Sequence, residues 1–238
     1  MKKHAFLWFI LFFTNLLFSQ DYKYADELQF RVVEMKGSVD VKYREDEWKI
    51  PAVKDILPGG LEIFTGLHSR LSIEYGGGCY VTINQLSHVT INKIRIIKDE
   101  AFLELMLDFG YMVILSKPIE KYKKNKITIQ CSCGNVDFEK SAGEVYMRKD
   151  KGAIIKAFSG SIKVLSKVLN IFALHKNEMC GITAEGILLE SEYFLKRNIS
   201  TKRGDIDNPQ SVDAFYDFVF VPYSEDMGTN DYSKHFHP

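Results

Sequence analysis

The sequence predicts an all-β protein with a single domain of short strands, arranged as a solenoid or a sandwich. Two observations carry this prediction: apolar and polar residues alternate in short runs, and glycines separate or end those runs. The composition agrees with it, because 46% of the 238 residues are hydrophobic and 13% are aromatic. Aromatic and β-branched side chains are enriched in strands, and stripes with helical spacing are scarce in this chain.

The alternating runs extend from about residue 30 to residue 189, which we take as the domain. The clearest runs are 39–41, 71–75, 80–83, 89–91, 103–107, 127–133, 136–138, 145–147 and 162–164. Glycines are expected at the corners between strands, since turns and bulges often need a positive φ. They are Gly59, Gly60, Gly66, Gly76, Gly77, Gly78, Gly110, Gly134, Gly143, Gly160 and Gly181.

A short motif, a glycine followed by an alternating strand, occurs at 37–41 and again at 160–164, with a looser copy at 110–114. Similar first and last strands would suit neighbours that close a sheet, or stacked coils of a solenoid. The motif therefore predicts that these two strands lie together.

The N-terminus has the pattern of an export signal. Lys2 and Lys3 precede an apolar stretch of about 14 residues, which is shorter than the roughly 20 residues of a membrane-spanning helix. We expect residues 1–20 to be a cleaved signal peptide, the alternative being an uncleaved anchor. No later segment reaches spanning length, so a periplasmic or secreted protein without a membrane span in the mature chain is expected.

Residues 190–238 differ in character from the domain. A polar and basic stretch, 196–204, predicts a linker, and the aromatic and acidic run 212–221 is expected to dock on the domain as a strand or short helix, or else to form a loose tail. We expect this extension to be partly ordered.

The chain has four cysteines, an even number for a compartment that permits disulfides: Cys79, Cys131, Cys133 and Cys180. Alternation places Cys131 and Cys133 on one face of a strand, which is a poor geometry for a bridge between them. Two interpretations stay open: small buried apolar residues, or a disulfide from this pair to Cys79 or Cys180. The single residue between them does not fit a zinc site.

One dense basic run surrounds Pro118, and its lysines are Lys117, Lys121, Lys123, Lys124 and Lys126. It predicts either a solvated loop or a contact for an anionic partner such as a cell-wall polymer or a lipid head group. Lysine plus arginine (31) equals aspartate plus glutamate (31) over the whole chain, so no global field would attract nucleic acid.

The residues predict no catalytic, cofactor or metal site. Nucleophile-elbow and zinc-binding spacings are absent, and His235 and His237 lie close together only at the C-terminus. Carboxylates alternate with apolar residues, which places them on solvent faces; these are Glu62, Glu74, Asp108, Asp137, Glu139 and Glu144.

Residues of about 30 to 187 resemble the FecR domain, a periplasmic module named for the iron-citrate signalling regulator. The resemblance rests on segment 33–41, then Trp48, then segment 56–73 with its Gly59-Gly60, Thr65-Gly66 and Ser69-Arg70 spacing. Segments 80–91, 103–114 and 158–164 follow in the family's order. The resemblance implies an all-β module that works by contact.

The chain departs from the family pattern at two places. Lys140-Ser141-Ala142-Gly143 stands where the family usually has a valine-arginine-glycine-threonine turn. The cytoplasmic anti-sigma segment and the transmembrane helix of well-known members are missing, so we expect no direct control of a sigma factor.

The sequence as a whole predicts a non-catalytic, exported FecR-like binding or signalling module without a cofactor. Its expected partner is a periplasmic or envelope protein, or a cell-wall polymer, met through exposed strand edges and loops. The alternatives are a structural envelope component tethered to anionic polymer through the lysine run and, less favoured, a polysaccharide hydrolase with two carboxylates.

Overall fold

A computed structural model describes residues 29–189 of the chain, and the predicted signal peptide and the C-terminal extension lie outside them. The described part is all-β, as predicted, and contains fourteen strands and no helix. The strands are β1 (Phe30–Lys36), β2 (Val39–Tyr43), β3 (Ile56–Leu57), β4 (Leu61–Thr65), β5 (Arg70–Tyr75), β6 (Cys79–Ile83), β7 (Ser87–Ile97), β8 (Glu100–Leu115), β9 (Lys124–Cys131), β10 (Gly134–Arg148), β11 (Gly152–Ser166), β12 (Ile171–His175), β13 (Met179–Thr183) and β14 (Leu188–Leu189).

All the strands belong to one hydrogen-bonded network, but the three long strands β8, β10 and β11 have different neighbours along their two halves. Their halves divide the network into two arrays. Sheet I has the order β2-β4-β7-β8-β9-β10-β11-β12, and sheet II has the order β3-β1-β5-β6-β8-β10-β11-β13-β14.

The two sheets face each other across a single core. Val81, Ile114, Val145 and Ile155 of sheet II belong to one buried cluster with Ile129 and others of sheet I. Asn125 of sheet I donates a hydrogen bond from its amide to the Ser116 hydroxyl at the far end of β8, 3.1 Å away. Since Asn125 is also the register partner of Ala101 near the start of β8, the two halves of β8 fold over each other. The architecture is therefore sandwich-like.

The long strands pass from one sheet to the other at bends that need glycine. Gly110 has a φ of +108°, and a Cβ there would overlap Ser87. Gly160 has a φ of +69° and lies beside Lys140 and Ser141, where the register of β10 shifts. Such positive φ values strain any other residue, so these glycines allow the bends.

Three sequence-based expectations about strands were wrong. Gly110, Gly143 and Gly160 lie inside β8, β10 and β11 and do not separate strands, because each strand bends and continues into the other sheet. Gly181 likewise lies inside β13. The runs 136–138 and 145–147 consequently form one strand. The run 127–133 ends at Cys131, and Cys133 lies in the tight turn before β10.

The two strands that carry the repeated motif were expected to be neighbours, but they do not pair. The strand after Gly37, β2, is at one edge of sheet I, whereas the strand half after Gly160 pairs with β12 at the opposite edge. The sheets stay open, so nothing brings their first and last strands together. The expected turn at Gly76-Gly77-Gly78 is confirmed, since it joins β5 to β6 in an antiparallel pair.

Candidate functional site

The connection from β2 to β3, together with the first residue of β3, presents exposed apolar side chains near the first edge of both sheets. Its large side chains Trp48, Ile50, Val53 and Ile56 are between 46% and 74% exposed. Val33, the extra residue of a bulge in β1, is also exposed beside β3. We call Trp48, Ile50, Val53 and Ile56 the edge surface. Exposed apolar side chains that lie close together on a surface typically mark contact sites.

Backbone hydrogen bonds hold the edge surface in place at both ends. Val41 of β2 and Lys49 exchange two backbone hydrogen bonds of 2.8 Å, and Lys54 donates to the carbonyl of Val32 in β1, also over 2.8 Å. Pro51 is buried between them. The segment is thus anchored to the edge strand of sheet I and to the edge of sheet II, and it can bind without first becoming ordered.

A hydrogen-bonded turn and a nearby cation fix the orientation of individual side chains in the edge surface. Asp55 accepts a hydrogen bond at Oδ2 from the backbone N–H of Ala52 over 2.8 Å, which stabilises the turn that exposes Val53. The Lys42 ammonium lies 5.9 Å from the ring centroid of Trp48. This distance is within the range of a cation–π contact, which orients the indole ring.

A second cluster lies on the outer face of sheet I, where β4, β7 and β8 are neighbours. His88 has its Nδ1 2.8 Å from Asp108 and its Nε2 3.7 Å from Glu62. Its ring is 5.9 Å from that of Phe109, which in turn packs edge-on against Phe64 at 6.4 Å. Histidine, two carboxylates and two aromatic rings could together bind a polar ligand.

A β-bulge creates this second cluster. His88 pairs with Phe109 and the next residue, Val89, pairs with Leu107, so Asp108 is an extra residue of β8. The bulge places both Asp108 and the ring of Phe109 next to the His88 ring. Bulges commonly redirect side chains in this way. Both carboxylates are 37% exposed, so neither shows the desolvation expected of a glycosidase acid.

The predicted lysine contact is largely neutralised by neighbouring carboxylates. Lys123 pairs with Asp99 at 2.7 Å, Lys124 with Glu139 at 3.2 Å and Lys126 with Asp137 at 2.7 Å. The ion pair with Asp99 raises the pKa of Lys123. Lys124 and Lys126 lie in β9, whereas Lys117 and Lys121 lie in the preceding connection and are exposed. The structure thus spreads these lysines over a strand and a loop, and their role as an anionic contact stays a prediction.

The four cysteines are free thiols in this structure, three of them buried and Cys131 half-buried. Burial raises the pKa of Cys133 to about 11, and it also raises the pKa of Cys79 and, further, those of Cys131 and Cys180. Protonated thiols are poor nucleophiles, so at neutral pH these side chains behave as buried apolar groups. Cys133 adds to the rise in the pKa of Cys180. A disulfide from Cys131 or Cys133 to Cys79 or Cys180 stays a prediction.

One carboxylate contradicts the expectation that all six face solvent. Glu144 is buried and accepts a hydrogen bond of 2.8 Å from the Tyr111 hydroxyl. Its alternation did place it away from the core, but the side chain is nevertheless buried. Burial of a carboxylate is tolerated where hydrogen bonds compensate for the lost hydration.

Within residues 29–189, no group of three or more histidine, cysteine, aspartate or glutamate side chains is arranged to hold a metal ion. In the same part of the chain, no helix has the length and apolar character needed to cross a membrane.

Comparisons with known proteins reveal only distant likeness. No family model matches this chain, and no curated protein matches it. Two crystal structures of a protein from Parabacteroides distasonis, provisionally described as an anti-sigma factor, align with TM-scores of 0.44 and 0.42 and 13% identity. Each alignment covers 58% of this chain, and 65% or 64% of that protein, so the chain spans slightly less than two thirds of its length. Membership of the FecR family stays a prediction.

Sequence reasoning missed both surfaces, although each left a signal. In segment 45–56, large apolar residues stand singly among charged ones without the alternation of a strand, which is the pattern of an exposed loop with apolar side chains. The second cluster coincides with a break in alternation at Asp108-Phe109-Gly110. A break of this kind inside a strand often indicates a bulge.

Proposed function

We propose that this protein is a non-catalytic, exported binding module of the FecR type that acts by contact with a protein partner outside the cytoplasm. The observation that carries the proposal is the edge surface: four large apolar side chains are exposed on a segment that is already held in place. Full burial of such a side chain contributes about 1.5–3 kcal/mol, so covering this surface would supply a substantial part of a binding free energy.

The chemistry of the edge surface favours a protein over a polymer. Tryptophan and large aliphatic side chains are the residues that anchor protein interfaces, and they bind best in apolar pockets of a partner. Charged residues of both signs surround them, including Lys42, Glu47 and Lys49. This mixture resembles the polar rim of an interface more than the uniform charge needed to bind an anionic polymer.

The test is affinity capture from envelope extracts of the source organism with the tagged full chain and two matched variants. Trp48→Ser combined with Ile50→Ser removes the anchors, whereas Leu169→Ser removes an equally exposed apolar side chain from the β11–β12 turn. We expect one protein to be recovered with the wild type and with Leu169→Ser, and its yield to fall at least about tenfold with the double variant.

Two results would count against the proposal. Equal recovery with all three proteins would show that the edge surface is not the contact. Repeated recovery of no partner, together with turnover of an envelope glycan by the purified chain, would instead support the hydrolase. Circular dichroism of the variants excludes unfolding as the cause of a lost contact.

A further inference from the structure

The edge surface continues onto the outer face of sheet I. Val41 and Lys49 form an antiparallel bridge, which places Trp48 beside Lys42 and Ile50 beside Asp40. The cation–π contact between Lys42 and Trp48 agrees with this placement. The register of β2, β4, β7 and β8 extends each of these pairs into a row. One row is Trp48, Lys42, Glu62, Thr90 and Met106, and the other is Ile50, Asp40, Phe64, His88 and Phe109.

Both rows point away from the core. The residues that alternate with them along the strands, such as Val41, Ile63 and Val89, belong to the buried core cluster. The row members of β2, β4, β7 and β8 are instead half-buried or exposed. Neighbouring strands are about 4.8 Å apart, so the rows extend over about 19 Å from segment 48–50 to β8. We call these ten residues, together with Asp108 of the bulge, the two-row face.

The two-row face combines apolar side chains with an excess of negative charge. It carries three carboxylates, those of Asp40, Glu62 and Asp108, and one lysine, Lys42. With histidine counted as uncharged, two negative charges are therefore in excess. Lys42 lies over the ring of Trp48, at the opposite end of the face from Asp108. Such a surface is complementary to a partner that presents basic and apolar side chains.

The His88 end of the two-row face has the groups that bind a guanidinium. Asp108 contacts Nδ1 of His88 through Oδ2, and Glu62 faces Nε2 through Oε2. Each carboxylate is still 37% exposed, and its second oxygen can accept further hydrogen bonds. The rings of Phe64 and Phe109 lie in the same row as His88. Arginine donates two parallel hydrogen bonds to a carboxylate and stacks on aromatic rings, so it suits this end better than lysine does.

We propose that the two-row face binds a basic segment of the protein partner. In this complex an arginine of the partner contacts Asp108, Glu62 and the aromatic rings, while an apolar side chain of the partner packs against Trp48 and Ile50. The two anchors of the partner are then roughly 14 Å apart, because three strand spacings separate segment 48–50 from β7. This inference rests on the proposed function, since it names the chemistry of the partner that meets the edge surface.

Nuclear magnetic resonance of the His88 ring tests the arginine contact on the full chain without the partner. The probes are Nα-acetyl-arginine methylamide and its uncharged analogue, Nα-acetyl-citrulline methylamide, and the variant His88→Gln assigns the ring signal. One double variant combines Asp108→Asn with Glu62→Gln. Its matched control combines Asp137→Asn with Glu139→Gln, which changes the net charge equally on the same outer face but beside the lysines of β9.

We expect the arginine probe to shift the His88 signal with saturation at millimolar concentrations, and the citrulline probe to bind at least about tenfold more weakly. The double variant at Asp108 and Glu62 should lose the response by a similar factor, whereas the control variant should keep it. The absence of a shift with the arginine probe would overturn the proposal. An equal response to the citrulline probe, or an equal loss in the control variant, would overturn it as well.

Affinity capture from envelope extracts with the same variants separates this inference from the proposed function. Recovery that falls at least about tenfold both with Trp48→Ser and Ile50→Ser and with Asp108→Asn and Glu62→Gln, but not with the control variant, would support both. Recovery that depends on Trp48 and Ile50 alone would leave the proposed function standing and overturn the arginine contact. Recovery that depends on neither pair would overturn both. Circular dichroism verifies that each variant is folded.

Discussion

Asn125 donates its side-chain amide to the Sγ of Cys79 over 3.2 Å and so joins β9 of sheet I to β6 of sheet II through the core. The same amide donates to the Ser116 hydroxyl, and the thiol of Cys79 donates to the carbonyl of Lys117 over 3.3 Å. These contacts form a small buried polar network where the connection 116–123 leaves β8. Such networks are stabilising only while their members remain hydrogen-bonded.

Asn125→Ala should therefore lower the free energy of unfolding by about 2–3 kcal/mol, since it removes both donated hydrogen bonds and leaves a cavity. Urea unfolding of the reduced protein measures the change. Asn170→Ala, an exposed site in the β11–β12 turn, should alter stability by less than about 0.5 kcal/mol. Equal effects of the two substitutions would show that the network does not join the sheets.

Gly110→Ala should destabilise the protein by about 3 kcal/mol or more, because the new Cβ would overlap Ser87 at the bend of β8 and the φ of +108° is strained for alanine. Thermal unfolding followed by circular dichroism measures the effect. Gly77→Ala is the control: its φ is also positive, at +79°, but its Cβ would meet nothing within 4 Å, so a cost of only about 1–2 kcal/mol is expected. A milder effect at Gly110 than at Gly77 would contradict the bend.

Stability should fall as the pH rises above 9, under reducing conditions. Burial raises the pKa of Cys133 from 9.0 to about 11, so the unfolded chain loses this proton at a lower pH than the folded chain does. The stabilisation that comes from the protonated Cys133 is complete below pH 9 and is lost between pH 9 and 11. Over this range the free energy of unfolding falls by up to about 1.4 kcal/mol per pH unit for one thiol. Urea unfolding at pH 8, 9, 10 and 11 measures it. Cys133→Ala should give a shallower slope, and an unchanged slope would mean that other groups cause the pH dependence.

Tyr111→Phe should lower the free energy of unfolding by about 1–3 kcal/mol, because it removes a hydrogen bond of 2.8 Å to the buried carboxylate of Glu144 while keeping the stacked ring. Calorimetry measures the loss. Tyr43→Phe, at a partly exposed position of the edge strand β2, serves as the control and should change stability little. No difference between the two variants would show that the hydroxyl is not needed by Glu144.

The alternation of residues by itself determined the all-β class, most of the strands and the turn at Gly76-Gly77-Gly78, because the two-residue period is a local property of an extended backbone. Composition also established that the chain has no net charge to attract polyanions. These conclusions need no information on which strands are neighbours.

Only the tertiary structure decided which strands pair, where they bend and which outward-facing side chains are buried. Gly110 and Gly160 look the same in sequence as a glycine between two strands, because the choice between turn and bend depends on the partners of each strand half. The placement of Trp48 at an open edge and the burial of Glu144 depend likewise on residues far away in the chain. Local periodicity tells which side chains share a face, whereas the packing of distant segments determines whether that face meets solvent.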